Sequence, residues 1–374
     1  MKKIVICCDG TSNDFGDHNS NVVKLFNVLE KNTDRQITYY DPGVGTPSTY
    51  NAFNPITQKL EYVLGQSFGY GLNQNIMDAY AFLMKTYEKD DELYFFGFSR
   101  GAYTVRALAG LINTCGLLYA NSENLIAETM RIFHDRKAGK IAGDFKKTFS
   151  RVCKVHFLGL WDTVSSIGWV YSPMTLQGTS NNESVANVRH AISIDERRAF
   201  FRQNLWGTRF EKQQDIRQVW FAGVHSDVGG SYLEEVSNLS NISLEWMIVE
   251  AMGKGLLFEP EKLENTRKLF QQNPEPYMQD LNISLSGGWR IAEFWPKLIK
   301  VNKGTVDKPR WVSRLYVNRG RFRFMDGNHK HTLHESVVLR LQKRADYRPL
   351  NLIKICPDVN KLSEFFDVEK WTRL

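Results

Sequence analysis

The 374-residue chain has no apolar run approaching the roughly 18 residues needed to span a bilayer, so no helical membrane anchor is expected. Met1-Lys2-Lys3-Ile4-Val5-Ile6-Cys7-Cys8 meets Asp9 too soon to hold the apolar core of a signal peptide. The expectation is a soluble chain, cytoplasmic as synthesised. Cysteine is scarce: Cys7, Cys8, Cys115, Cys153 and Cys356 are odd in number and scattered, with no CxxC pair, which argues against a disulfide framework and against a zinc site. The glycines after the second apolar run, Gly43 and Gly45, lack the Lys-Ser/Thr of a P-loop and the third glycine of a dinucleotide fingerprint, and a tight turn is expected there. No cofactor is therefore expected. The formal charge of +7 favours acidic surfaces, but there is no dense Lys/Arg run and no nucleic-acid motif, so nucleic acid is not an expected partner. Internal repeats and low-complexity linkers are absent as well.

What is present is an aromatic-rich, core-forming composition, with nine Trp, fifteen Tyr and 23 Phe. The most informative stretch is Leu93-Tyr94-Phe95-Phe96-Gly97-Phe98-Ser99-Arg100-Gly101-Ala102. It reads as a buried strand followed by a helix through Ile112, with Ser99 on the turn between them. Gly97 and Gly101 flank Ser99 at minus two and plus two, where a side chain would collide as strand turns sharply into helix, the requirement of a nucleophile elbow. Such a turn lifts the serine hydroxyl clear of the sheet and aims the Arg100 N–H, at the helix N-terminus, toward an oxyanion. The plainer alternative is a glycine-rich turn whose serine only caps the helix.

Four more apolar runs end in polar loops. Lys2–Cys8 leads to Asp9-Gly10-Thr11; Gln36–Tyr40 leads to Asp41; Lys154–Trp161 leads to Asp162-Thr163-Val164; Gln218–Val224 leads to His225-Ser226-Asp227-Val228-Gly229-Gly230. Helical patterns separate them, as around Val22–Leu29 after the caps Asn19-Ser20-Asn21, from about Ile56 to Tyr87, and about Asn124 to Lys137. Alternating strands and helices predict an α/β fold, a mainly parallel sheet with helices on both faces, with ligands bound beyond the carboxyl ends of the strands. Beyond about residue 255 the alternation stops. Residues 1–255 are read as the catalytic domain and 256–374 as a C-terminal cap or subdomain packed on it, with a helix over Leu256–Asn273, short strand-like pieces over Leu281–Phe324, and a capping box at Thr332-Leu333-His334-Glu335 opening a helix to about Arg344.

Ser99, Asp162 and His225 occur in the chain order Ser, Asp, His, which is the α/β-hydrolase order. Of the eight histidines, His225 alone directly follows a strand; His156 reads as a core residue, and His190, in or near a helix of the charged segment around Asp195–Arg198, is the reserve candidate. His225 would act as general base and Asp162 would fix its tautomer. Asp227, two residues from His225, is the competing acid, and is read as a loop stabiliser. His329, His331 and His334 lack an acidic or Cys partner at a recognised spacing, and the Asp9, Asp41 and Asp227 loops need no cation, so no metal is expected.

The blocks Cys8-Asp9-Gly10-Thr11, Gly97–Ala102, Gly159-Leu160-Trp161-Asp162-Thr163-Val164, Val224–Gly230 and His334-Glu335-Ser336-Val337 make the sequence resemble a bacterial and fungal α/β-hydrolase family, long catalogued as a domain of unknown function. Its best-understood members are type VI secretion lipase effectors, phospholipases that attack the membranes of rival cells. The resemblance runs through roughly the first 240 residues in order. It implies an α/β-hydrolase-like fold, a triad of Ser99, Asp162 and His225, an ester or phospholipid substrate, export by a non-classical secretion system, and an immunity or secretion partner. The phospholipases resembled are generally longer, with membrane-docking insertions that this chain lacks, so ester hydrolysis is the broader expectation and phospholipid the narrower.

The expected chemistry is a serine esterase or lipase that forms an acyl-enzyme on Ser99, with backbone N–H groups of Arg100 and of Gly10 or Thr11 holding the oxyanion. Transfer of the acyl group to another acceptor, and a catalytically silent hydrolase fold used as a binding module, stay open as alternatives. Trp289–Lys300 sets Ile291, Phe294, Trp295 and Leu298 at helical spacing with Arg290, Lys297 and Lys300 on other faces. It is read either as a cap packed over the sheet or as a peripheral membrane contact, with Phe294 and Trp295 as the substrate or cap candidates and Pro296 as a kink.

Overall fold

A computed structural model of the chain describes residues 1–10, 16, 18–43, 66–135, 137–164, 176–207, 209–287, 289–290, 293–294, 297–302, 311–327 and 329–374. In chain order its elements are β1 (Lys3–Cys8), α1 (Asn21–Val28), β2 (Gln36–Asp41), α2 (Gln66–Thr86), β3 (Glu92–Phe98), α3 (Arg100–Cys115), α4 (Ile126–His134), α5 (Gly139–Phe149) and β4 (Val155–Trp161). There follow β5 (Val185–Ser193), β6 (Asp215–Phe221), α6 (His225–Gly229), α7 (Asn238–Met252), α8 (Pro260–Gln272), β7 (Lys297–Asn302), β8 (Trp311–Tyr316), β9 (His331–His334), α9 (Glu335–Lys343) and β10 (Phe366–Glu369).

Eight strands form one sheet in the order β10-β9-β6-β5-β4-β3-β1-β2, and every pairing in it is parallel. The fold is therefore α/β-hydrolase-like. Parallel strands are covered on both faces, so they read as near-continuous apolar runs whose side chains alternate between two cores. Ile4, Ile6, Leu93, Phe95, Leu158 and Leu160 pack toward α2, α3, α4 and α5. Val5, Cys7, Tyr94, Phe96, Phe157 and Trp161 pack on the opposite face toward α1, α7 and α8. A third core joins β6 and β9 to α9 through Trp220, Leu333, Val337 and Leu341. All five cysteines are buried and free. Among the described residues no helix is long and apolar enough to cross a membrane.

Several local expectations need correction. β5, Val185–Ser193, lies between the Asp162 strand and the His225 strand, and His190 belongs to it rather than to a helix. Its run is broken by Asn187, Arg189 and His190, which hides the strand from an apolar-run criterion; Arg189 is buried only because Asp215 and Glu250 pair with it. Thr332 does not cap a helix: it sits in β9, and the N-cap of α9 is His334, whose side chain accepts from Ser336 N. Lys297–Asn302 is not helical but strand β7, paired antiparallel with β8. The residues of the notional helix from Ile56 to Gly65 lie outside the described ones, and α8 begins at Pro260, where the fixed proline φ suits the first helical turn.

Candidate active site

Ser99 follows β3 with φ 58° and ψ −117°, a left-handed conformation that a non-glycine residue adopts only where surrounding structure enforces it. The enforcement is visible in the glycines. A Cβ on Gly97 would stand 2.6 Å from backbone atoms of Gly101 and Ala102, and one on Gly101 would stand 2.1 Å from the Cys8 carbonyl oxygen and 2.4 Å from that of Asp9. The helix behind the serine thus sits directly against the end of β1, and only glycine allows that approach. The Ser99 N–H donates to the Trp161 carbonyl at 3.0 Å, tying the elbow to the end of β4. Ser99 is 7% exposed.

One residue beyond Trp161, Asp162 has φ 40° and is fully enclosed. Its Oδ2 meets the His225 Nδ1 at 2.5 Å. The other contacts of the carboxylate come from Ser193, whose N–H donates at 2.9 Å and whose hydroxyl donates at 3.1 Å, and from a two-pronged Arg323, with Nη1 to Oδ1 at 2.5 Å and Nη2 to Oδ2 at 2.9 Å. Burial alone would raise the Asp162 pKa. The Arg323 guanidinium and the His225 contact override that and hold it well below the usual carboxylate range. Asp162 is therefore an anion with every lone-pair direction occupied.

His225 opens the short helix α6 and is 3% exposed. Its ring lies between Phe98, at 4.6 Å between centroids, and Phe201, edge-on at 4.8 Å. Arg198 stacks on the outer face of Phe201 at 3.6 Å and is paired with the buried Glu196, which also accepts the His225 N–H at 3.2 Å. Burial lowers the His225 pKa below 6.5, against the opposing pull of Asp162. Burial would raise Glu196, but Arg198 holds it at about 2. His190 is enclosed in β5: its Nε2 accepts from Thr163 N at 3.2 Å, and burial together with Arg106 drops it to about 3, so it is a neutral core residue.

The competing acid Asp227 accepts from Val224 N at 3.0 Å and from the Asn282 side chain at 2.6 Å, fixing the α6 turn to the segment after α8. Asp9 accepts from Ser20 Oγ at 2.5 Å, from Tyr40 Oη at 3.0 Å and from the Gly10 N–H at 2.6 Å. Asp41 accepts from Gly43 N at 2.7 Å and Asn75 Nδ2 at 2.9 Å, and burial lifts it to about 6. Among the described residues no group of three or more His, Cys, Asp or Glu is arranged to hold a metal ion. Thr11 and Trp295 lie outside the described residues; Phe294 is 67% exposed.

Sequence reasoning did not single out Arg323, Ser193, Glu196 or Phe201. No local signal marks them: Arg323 reaches Asp162 across 161 positions, from an irregular stretch beyond β8.

A family model described as T6SS, phospholipase effector Tle1-like, catalytic domain matches residues 2–250. An uncharacterized protein of Saccharomyces cerevisiae is 38% identical over 221 residues, covering 54% of this chain and 32% of that protein. The chain thus spans about a third of the length of that curated relative. Among solved structures, an uncharacterized protein from Pseudomonas aeruginosa is 20% identical with a TM-score of 0.43, over 72% of this chain and 48% of that one. The Tle1 effector bound to the VgrG spike of the type 6 secretion system is 17% identical with a TM-score of 0.32, over 82% of this chain and 65% of that one.

Proposed function

The chain belongs to the family of Tle1-like phospholipase effectors of type VI secretion, through their catalytic domain, and we propose that it is a serine hydrolase that cleaves carboxylic esters of lipids. The observation that carries this reading is the 2.5 Å contact between His225 Nδ1 and an Asp162 held as an anion, with the strained elbow serine directly following Phe98, whose ring packs on His225 at 4.6 Å between centroids. Ser99 Oγ attacks the ester carbonyl while His225 Nε2 takes its proton. Asp162 keeps the Nδ1 proton in place and stabilises the imidazolium; Ser193 and Arg323 keep Asp162 in place. The tetrahedral oxyanion is held by the Arg100 N–H at the start of α3, with the Gly10–Thr11 loop as second donor; Gly10 must exchange its bond to Asp9 for the substrate. The imidazolium protonates the departing alcohol, and a water activated by the same histidine releases the acid.

In this reading residues 1–255 form the catalytic domain and 256–374 a C-terminal cap or subdomain, which completes the site by supplying Arg323 and extends the sheet by β9 and β10. Phe294 is the candidate for contact with lipid. Export as an effector, with a secretion or immunity partner, rests on family membership alone. The test is a panel of soluble esters and phospholipid vesicles assayed with wild type and Ser99→Ala. Hydrolysis that depends on Ser99 supports the reading, and hydrolysis that survives Ser99→Ala, or none on any ester, refutes it.

A further inference from the structure

The arginines of the C-terminal part gather around an open cavity of about 810 Å³, walled by Arg197, Arg319, Arg321, Arg323, Phe324 and Lys354 among others. A second hollow of about 320 Å³ shares Arg197, Tyr316 and the stretch Arg321–Phe324, and adds Arg198, Arg202 and Glu196. The charge of these walls is one-sided. Glu196 is their only carboxylate among the described residues, and Arg198 already pairs with it. Arg323 is engaged by Asp162. Arg202 lies over the Tyr316 ring at 4.8 Å, and among the described residues no carboxylate stands within ion-pair distance of Arg202, Arg319, Arg321 or Lys354. Several like charges held around one hollow repel each other, and an anion bound among them relieves that repulsion.

Guanidinium groups bind phosphate through paired N–H donors, which favours phosphate over a simple carboxylate at an arginine-rich site. The same walls carry apolar surface: Phe324 is 77% exposed and Leu350 is 55% exposed at the cavity. A free inorganic ion has nothing to place there, whereas an amphiphile does. Arg323 links the cavity to the candidate catalytic residues, being at once part of its wall and the clamp on Asp162.

We infer that this cavity seats the phosphate of an anionic phospholipid headgroup beside the triad, selecting acidic lipids over zwitterionic ones. The inference rests on the reading of the chain as a lipid-cleaving hydrolase, and names the headgroup that the site takes. A choline headgroup would set its positive charge against Arg319, Arg321 and Lys354; a glycerol headgroup would not.

The test is binding, kept apart from turnover by using full-length Ser99→Ala. Dihexanoyl phosphatidylglycerol, dihexanoyl phosphatidylcholine, each below its micelle concentration, and inorganic phosphate are titrated by calorimetry. The expected result is phosphatidylglycerol binding about tenfold or more tighter than either other ligand, weakening with added salt. Adding Arg321→Gln and Lys354→Gln, both at exposed positions of that cavity, should weaken it by about tenfold or more, at least the effect of losing one charge-assisted hydrogen bond, with the melting temperature unchanged. Equal affinity for the two lipids, indifference to the double substitution, or inorganic phosphate binding as tightly as phosphatidylglycerol overturns the assignment. Headgroup binding without Ser99-dependent ester cleavage by the otherwise unchanged protein would leave this site standing and sink the hydrolase reading; cleavage without headgroup selectivity would do the reverse.

Discussion

Replacing Arg323 by Met keeps an unbranched aliphatic stem and removes the charge together with the fork of N–H donors. The perturbed group is Asp162, which would lose two of its five close polar contacts and retain the two from Ser193 and the one from His225. Both partners are almost fully enclosed, with side-chain exposures of 4% and 0%, so solvent cannot replace the guanidinium. Breaking such a buried pair costs about 3 kcal/mol, the lower end of the range for these pairs, because three contacts remain. With an unfolding entropy of about 2.1 cal/mol/K per residue, that is a fall of about 4 °C in melting temperature if the chain unfolds in one step.

The sign with pH follows from the direction of the Asp162 shift. Its folded pKa lies below the unfolded one, so its stabilisation is present above about pH 4 and is lost as pH falls toward the folded value. Arg323→Met raises the folded pKa and removes part of that stabilisation at neutral pH. Catalysis supplies a second readout that packing alone would not move. Arg323 neutralises the charge that His225 faces; without it, Asp162 stabilises the imidazolium more strongly, and the acid limb of the kcat/KM profile on a soluble ester moves to higher pH. Glu196 and Arg198 also face His225 and are the same in both proteins, so they do not contribute to the difference. Arg323→Lys, which keeps the charge but not the fork, should restore the limb more than the melting temperature. An acid limb that stays put in Arg323→Met, with the protein folded, would refute the assigned role.

In wild type, burial lowers the His225 pKa, so the acid limb of kcat/KM on a soluble ester should be centred below pH 6.5; a limb centred above that value contradicts it. Asp162→Asn should reduce turnover far more than Asp227→Asn, because Asp227 accepts from the Val224 N–H and from Asn282 rather than from His225; side-by-side rates and melting curves decide, and the reverse ranking reassigns the acid. Gly101→Ala forces a Cβ onto the Cys8 and Asp9 carbonyl oxygens and should lower stability by about 1–3 kcal/mol or more, read from a denaturation midpoint; an unchanged midpoint would mean the elbow sits further from β1. Phe294→Ser, at a position 67% exposed, should leave the melting temperature unchanged and reduce flotation with anionic vesicles; a large drop in melting temperature would make Phe294 core.

The strands that deliver candidate side chains were legible because parallel strands buried on both faces are written as apolar runs, each stopped by a polar loop residue: Asp9 after β1, Asp41 at the end of β2, Ser99 after β3, Asp162 after β4 and His225 beyond β6. β5 was not legible, because Arg189 and His190 occupy its core positions and only tertiary partners, Asp215, Glu250 and the Thr163 N–H, make them tolerable there. β9 and β10 are four residues each, too short for alternation to register, and β9 carried a capping pattern whose role passed to the His334 ring. The contacts around Asp162 and His225 divide the same way. A strand end can be read from one segment of sequence, whereas Arg323 on Asp162, and Phe201 on His225, are products of separate segments meeting.

The central claim is that Ser99 is a nucleophile activated by His225. Labelling the intact protein with a fluorophosphonate probe and mapping the modified peptide by mass spectrometry tests it most directly, since the probe reacts with activated serine hydroxyls and not with ordinary ones. The account predicts a single phosphonylated residue, Ser99, in wild type, and loss of labelling in His225→Ala with the fold intact. Modification of a different serine, or undiminished labelling of Ser99 without His225, would contradict it.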